Sequence, residues 1–210
     1  MEIARQIAEA MQDLHDHGFV HRDLAARNCL IYHKNLQIKI TDTGASNKDY
    51  QTEYFQQIFP LRWMSFETII QSTFTNKSDV FSFGVTLWEI MKYCQSLPHQ
   101  LLSDEELLSE IVNDHHVDKV CFLYMRFAIN PLITFVIVEQ ICDSSSAFYN
   151  HPFDDSNDSK CLLQLTKPKD CPDDIYDLIV ECTQHTADSR PEFTEIVHFL
   201  QAKSLSLRKL

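Results

Sequence analysis

Glycine is nearly absent: Gly18, Gly44 and Gly84 are the only three in 210 residues. A glycine-rich loop whose backbone amides cradle phosphate cannot be assembled from residues so far apart. Basic charge is also in deficit, with 18 Lys and Arg against 30 Asp and Glu and a formal net charge of −12. Nucleic-acid binding by clustered cations is excluded by that balance, which describes a solvated acidic surface. The seven cysteines (Cys29, Cys94, Cys121, Cys142, Cys161, Cys171 and Cys182) form no C-x-x-C pair and are odd in number. In a chain long enough to bury its own core, this predicts reduced thiols and not a disulfide frame. No H-E-x-x-H occurs. His17 and His21 are four apart, but Gly18 and Val20 spoil a shared helical face, so a structural zinc site is not expected. The first residues lack the charged tip and apolar centre of a signal peptide.

What is present is an ordinary soluble composition, 44% apolar and 23% charged, arranged in recognisable segments. "EIARQIAEAMQDLHDHG" places Ile3, Ile7, Ala10, Met11 and Leu14 at a period near 3.6 and stops at Gly18, an amphipathic helix with a glycine end. "NCLIY" and "LQIKI", separated by "HKN", read as a small hairpin. Residues 43–62 are polar and aperiodic, a long surface loop of the kind that usually carries function. "SDVFSFGVTLWEIMKY" is apolar on nearly every side, a helix through the core with Ser78 or Asp79 near its cap. "LSDEELLSEIVND" opens with Ser103 and Glu106 in capping-box spacing. "CPDDIYDLIVECTQ" and "RPEFTEIVHFLQAKSL" give two further helices, each opened by a proline.

One segment breaks the pattern. From Asp118 to Asp143 the chain is apolar without helical stripe, alternation or caps. Arg126, Asn130 and Pro131 near its centre argue against a membrane span. An insertion over 117–160, dividing a first part at 1–116 from a last part at 161–205, is the expected organisation.

The chemistry concentrates in "FVHRDLAARNCLI". His21, Arg22, Asp23, Leu24 and Asn28 fit the spacing H-R-D-L-x-x-x-N. Phosphoryl transfer to a hydroxyl needs a carboxylate to orient and deprotonate the acceptor, and oxygen ligands for Mg²⁺. Five residues apart on one tight loop, Asp23 suits the first role and Asn28 part of the second. Asp42 with Gly44 follows the hairpin as a second metal-binding carboxylate, and Glu67 follows the long loop.

These motifs resemble the larger, C-terminal lobe of a eukaryotic protein kinase. "HRDLAARN" and "PLRWMSFE" are similar to the tyrosine-specific forms, and "FTNKSDVFSFGVTLWEIM" to their central helix. The resemblance implies a mainly α lobe of the α+β kinase fold, with a small β hairpin near the catalytic loop and the N-terminal lobe missing. It also implies ATP and Mg²⁺ as cofactors. Asp23, Arg27 and Asn28 would be catalytic, Asn28 and Asp42 would hold the metal, and Leu30 would floor the adenine ring. His21, Arg22, Asp79 and the pair Glu67–Arg190 would be structural. Phe66 in place of a proline, "YCQSLPHQLLSDEEL" and "ASNKDYQTEYF" are similar to the discoidin-domain receptors, which are collagen-binding receptor tyrosine kinases. Tyr50 and Tyr54 would then be phosphorylated. The parent would be a plasma-membrane receptor with this part on the cytoplasmic side, the fragment alone being cytoplasmic. Tyrosine-bearing proteins and other receptor chains would be its partners, with collagen reached only through an ectodomain not present here.

Several positions depart from that pattern. Thr43 stands where a buried phenylalanine is usual, a loss of about 3 kcal/mol of packing in a typical core. Gln56 replaces an arginine, Phe81 a tryptophan, and Thr183 another tryptophan, which predicts looser packing near Arg190. Three readings result: a tyrosine kinase fragment, inactive alone; a non-catalytic kinase-like interaction module; or an incomplete gene model.

Overall fold

The computed structural model describes residues 1–32, 36–42, 60–114 and 164–207. Thr43, Tyr50, Tyr54, Gln56 and the whole 117–160 segment lie outside those residues. The described elements are α1 (Glu2–Asp16), β1 (Cys29–Tyr32), β2 (Gln37–Ile40), α2 (Phe66–Gln71), α3 (Asn76–Met91), α4 (Asp104–Asp114), α5 (Asp173–Cys182) and α6 (Phe193–Leu207). Helices around one two-stranded sheet are the mainly α arrangement with a hairpin that the sequence predicts.

α1 buries Ala4, Ile7, Ala8 and Met11 and ends as its glycine foretold. Gly18 takes φ +78°, its amide donates to the His15 carbonyl at 2.9 Å, and the Phe19 amide reaches back to Leu14 at 2.9 Å. That pair of bonds is a Schellman motif, and it turns the chain sharply into "VHRDL". β1 and β2 are antiparallel, with Cys29 opposite Ile40 and Ile31 opposite Ile38. Cys29, Ile38 and Ile40 lean on the core, whereas Leu30, Ile31 and Tyr32 are exposed. Gln6 of α1 ties the hairpin down: its amide nitrogen donates to the Leu36 carbonyl at 3.1 Å and its oxygen accepts from the Ile38 amide at 3.0 Å.

α3 is the central post. Eleven of its residues are buried, from Ser78 to Glu89, polar ones included. Its cap lies further upstream than the sequence pattern suggested. Thr75 is the N-cap, its hydroxyl accepting from the Ser78 amide at 3.3 Å while Ser78 accepts from the Thr75 amide at 2.9 Å. Ser78 is thus the N3 partner, and Asp79 is released from capping to point inward. Gly84 lies where α3 meets α5: a Cβ there would sit 2.7 Å from the Cys182 Cβ and 2.9 Å from the Thr183 methyl. The main core joins α1, α3, α5 and α6 through Met11, Leu24, Phe83, Leu87, Ile179 and Leu200, among others. A second, smaller cluster unites Leu61, Met64, Ile69 and Ile70 with Leu107, Leu108 and Ile111 of α4. Residues 60–62 therefore belong to a buried turn and not to a surface loop. Ser103 and Glu106 exchange both bonds of the expected capping box, at 2.7 and 3.1 Å.

No helix among the described residues is long and apolar enough to cross a membrane. The four described cysteines, Cys29, Cys94, Cys171 and Cys182, are free thiols.

Candidate active site

Asp79, delivered to the core by α3, organises the loop. Its carboxylate accepts the His21 amide at 2.7 Å on one oxygen and the Arg22 amide at 2.9 Å on the other. The His15 ring nitrogen lies 2.9 Å from the first oxygen. A buried carboxylate must be satisfied in this way to be tolerated, and here its partners are the two amides of one turn. Arg22 takes φ +74°, a left-handed conformation that a non-glycine residue adopts only when its surroundings fix it. The two bonds to Asp79 do so. The Arg22 guanidinium stands 5.2 Å from the Phe74 ring centre.

His21 is buried and bridges the loop to the chain beyond the hairpin. Its Nδ1 accepts the Asp23 amide at 3.3 Å, so Nε2 carries the proton and donates to the Thr41 carbonyl at 3.1 Å. Thr41 in turn donates its amide and its hydroxyl to the Asn28 carbonyl, at 2.9 and 3.2 Å. These contacts bring Asp42, fourteen residues after Asn28, alongside the His21–Asn28 loop. Asp42 is exposed and takes φ +65°.

The Asp23 carboxylate is 1% exposed and is held from two sides. Arg27 pairs with Oδ1, and the Asn28 amide nitrogen donates to Oδ2 at 3.0 Å and to the Asp23 carbonyl at 2.7 Å. Because that nitrogen faces Asp23, the Asn28 amide oxygen is turned away from it. The Asn28 oxygen and the Asp42 carboxylate are hard oxygen donors of the type Mg²⁺ prefers. Among the described residues no group of three His, Cys, Asp or Glu could form a protein cage. A cation held here would complete its octahedron with water and phosphate oxygens, as Mg²⁺ characteristically does. The residues fit the ion. Leu30, 57% exposed, lies on the open face of the hairpin next to them.

The sequence-predicted brace is present. Arg190 has a fully buried side chain and spends all its N–H groups: two parallel bonds to the Glu67 carboxylate at 2.6 and 2.9 Å, and others to the carbonyls of Gln184, Lys77 and His185. Burial works to raise the Glu67 carboxyl, but the Arg190 hydrogen bond and charge outweigh it and hold the group below its ordinary range. Thr183, where the family carries a tryptophan, lies beside this cluster. Its hydroxyl turns back to the Ile179 carbonyl at 2.8 Å, and Phe81 lies 5.2 Å from the guanidinium.

Three further residues, inside the quoted motifs but given no role there, also build the site. Glu89, near the far end of α3, accepts the Ala26 amide at 3.0 Å and the Trp63 indole N–H at 2.7 Å. Trp63 offers its face to Arg27, whose guanidinium lies 4.4 Å from the ring centre. Arg62 donates to the carbonyls of Pro98, His99 and Leu102 at 2.7–2.8 Å, anchoring the chain ahead of α4 beneath this platform. A buried Glu on an otherwise apolar helix was the available signal for Glu89. Its partners lie in two other quoted motifs, but nothing in the sequence paired them with Glu89.

Comparison with known proteins gives the same answer from outside. The family described as "Protein tyrosine and serine/threonine kinase" matches residues 1–122 and 153–200. Human "Epithelial discoidin domain-containing receptor 1" is 31% identical over 210 residues, covering 98% of this chain and 18% of the receptor. The Drosophila melanogaster "Tyrosine-protein kinase transmembrane receptor Ror" is 32% identical, with 96% of this chain and 23% of that protein covered. The Bos taurus "Insulin-like growth factor 1 receptor" is 32% identical, at 94% and 24%. The chain thus spans about a fifth of the length of the receptors it matches. With the loop, the carboxylates and the Glu67–Arg190 brace arranged as described, and a family match over most of its length, the chain belongs to the protein tyrosine and serine/threonine kinases.

Proposed function

We propose that this lobe supplies the acceptor side of phosphoryl transfer from Mg-ATP to protein tyrosine, as part of a receptor kinase. The observation that carries the reading is the Asp23 carboxylate, buried and fixed by Arg27 and Asn28 beside the Trp63 platform. Asp23 accepts the proton of the substrate tyrosine hydroxyl as that oxygen attacks the γ-phosphorus, the bond to the β–γ bridging oxygen breaks and ADP leaves. Arg27 and Asn28 keep the carboxylate aimed. Asn28 and Asp42 would hold Mg²⁺, which neutralises phosphate charge when bound. Leu30 gives the adenine an apolar floor. Tyr50 and Tyr54 are the phosphorylation sites of the segment between Asp42 and Glu67, with Arg22 as a receiver of phosphate. In such a receptor the lobe works on the cytoplasmic side of the plasma membrane. Its partners are tyrosine-bearing proteins and other receptor chains, and collagen is engaged only through an ectodomain outside these residues.

A second reading, a binding module without catalysis, draws on the scarcity of glycine: these 210 residues hold no phosphate-cradling loop. One experiment separates the two. Turnover of a tyrosine peptide with Mg-ATP is measured for this chain alone and for the chain joined to the ATP-binding lobe of a receptor kinase. The chain alone should be silent, because positioning of the phosphates is most of this chemistry. The joined form should turn over and lose about a thousandfold in Asp23→Asn. A joined form with no turnover would leave only the binding module, and one that turns over indifferent to Asp23→Asn would overturn the role of Asp23 as base.

A further inference from the structure

Glu89 is 8% exposed and lies on α3 among Val85, Leu87 and Trp88, an apolar neighbourhood where a carboxylate is costly. Its Oε2 atom is shared. The Ala26 amide, two residues after Leu24 in the catalytic loop, donates to it at 3.0 Å, and the Trp63 Nε1–H donates at 2.7 Å. One oxygen thus joins the catalytic loop to the segment that carries Trp63. Trp63 is further tied down by its own backbone, since its carbonyl accepts from the Ser82 hydroxyl of α3 at 2.7 Å. With its edge and its carbonyl both attached to α3, the indole cannot rotate, and its face is presented to Arg27 at 4.4 Å. Arg27 is then confined between that face and the Asp23 carboxylate.

We infer that Glu89 is a positioning residue: through Trp63 it fixes the Arg27 guanidinium, and through Arg27 it sets the orientation of the Asp23 carboxylate. The chain of contacts runs Glu89, Trp63, Arg27, Asp23. Each link has its own chemistry: a charge-assisted hydrogen bond to the indole, a cation over its face, and an ion pair. The Glu89–Ala26 bond adds a second route to the same loop. The role of Asp23 rests on the function proposed above, whereas the coupling itself does not. The aim of Asp23 therefore depends on the Trp63 ring that Glu89 holds.

The test uses NMR of the 210-residue chain, with no nucleotide or substrate. Protons of Arg27 above the Trp63 face should carry an upfield ring-current shift, and the Trp63 indole N–H should exchange slowly. Trp88, whose N–H donates to the Thr166 carbonyl at 2.7 Å, is the internal control. In Glu89→Ala the Trp63 N–H should exchange at least about tenfold faster with Trp88 unchanged, the loss of a charge-assisted bond being worth more than one factor of ten. The Arg27 shift should collapse by more than half. Glu89→Gln, which keeps an acceptor oxygen at the same place, should retain most of both. If Glu89→Ala does not fold, Trp63→Phe poses the question again by deleting the donor while keeping a ring, and Arg27 signals should again move. A folded variant of either kind with Arg27 unmoved overturns the proposal. Because the signals need no turnover, a failed phosphoryl-transfer assay would strike the proposed function and leave this coupling standing.

Discussion

Replacing Arg190 by methionine tests how the two ends of the lobe are clamped. The side chain is wholly buried, and its guanidinium meets Glu67 in a bidentate pair at 2.6 and 2.9 Å. Methionine fills the apolar part of the space but strands the Glu67 carboxylate, which is 15% exposed, in a poorly solvated site. Breaking a buried pair by removing one partner costs about 3–5 kcal/mol. The carbonyls of Gln184 and His185 belong to exposed residues that water can reach, so they add little. For a chain of this size the loss corresponds to a melting shift of about 6–20 °C. Lysine should recover only part of it, because a point charge cannot satisfy both Glu67 oxygens and three carbonyls. The pH dependence has a definite sign. In the parent chain the Glu67 carboxyl is held below 4.5, so its contribution is complete above that pH and lost as pH falls through the lowered folded value. In Arg190→Met only the Ser65 and backbone hydrogen bonds still oppose burial, so the same group rises and acid relieves the variant. Urea unfolding at pH 7 and pH 4 should show the gap between the two proteins narrowing toward acid. A gap below about 1 kcal/mol at pH 7, or one that does not narrow, would refute the clamp, since even an ordinary hydrogen bond is worth that much.

Gly84→Ala should destabilise by about 1–3 kcal/mol in thermal melting, because its Cβ would meet the Cys182 Cβ at 2.7 Å in a packed helix contact. Ser82→Ala, two residues earlier on α3, should lose the hydroxyl's bonds to the Trp63 carbonyl at 2.7 Å and the Ser78 carbonyl at 3.2 Å, about 1 kcal/mol. His99 is pushed down to about 4 by burial and then by the Arg62 charge, so its contribution is complete above 6.5 and lost as pH falls toward 4. That loss is on the order of 2–3 kcal/mol and should be flattened in His99→Gln when urea unfolding is followed from pH 7 to pH 4.5. Deleting residues 118–146 and rejoining the flanks should raise soluble yield without lowering the melting point, since so many contiguous apolar residues are a liability if exposed. A lower melting point would mean that the segment packs into the core.

How much of this was legible in the sequence depends on range. The hairpin, the glycine end of α1 and the Ser103–Glu106 capping box are written within a few residues, and each appears where its local chemistry put it. The Glu67–Arg190 pair, 123 positions apart, was legible only because motifs carried it. No local rule could have joined them. The start of α3 shows the opposite failure. Ser78 and Asp79 are both good capping residues, and propensity cannot choose among neighbours. The choice fell to Thr75 because Asp79 was needed by the His21 and Arg22 amides, a demand that exists only in the folded chain. Glu89 was hidden for the same reason: its two partners come from segments 63 and 26 residues away.

The substitution of Thr43 for a buried aromatic raises the question of what holds Asp42 in place. Packing was the expected answer, and its loss should loosen the carboxylate. The described residues point to a second means. Thr41, the residue immediately before Asp42, makes three hydrogen bonds: its amide and hydroxyl to the Asn28 carbonyl, and its own carbonyl to the His21 ring. His21 is itself anchored through its amide to Asp79. The path from Asp79 to Asp42 therefore runs through polar bonds on one side of the carboxylate and does not pass through residue 43. Each such bond is worth about 1 kcal/mol, so together they can offset much of what a missing aromatic removes. The same bonds deliver Asp42 in a left-handed conformation, φ +65°, which aspartate tolerates better than most residues because its short side chain can bond locally. Removing the Thr41 hydroxyl with Thr41→Val tests this directly. It deletes the 3.2 Å bond while keeping size and branching, so global stability should fall by about 1 kcal/mol. If packing around residue 43 were the main support, the substitution would leave stability unchanged, and restoring the aromatic with Thr43→Phe would be the larger effect.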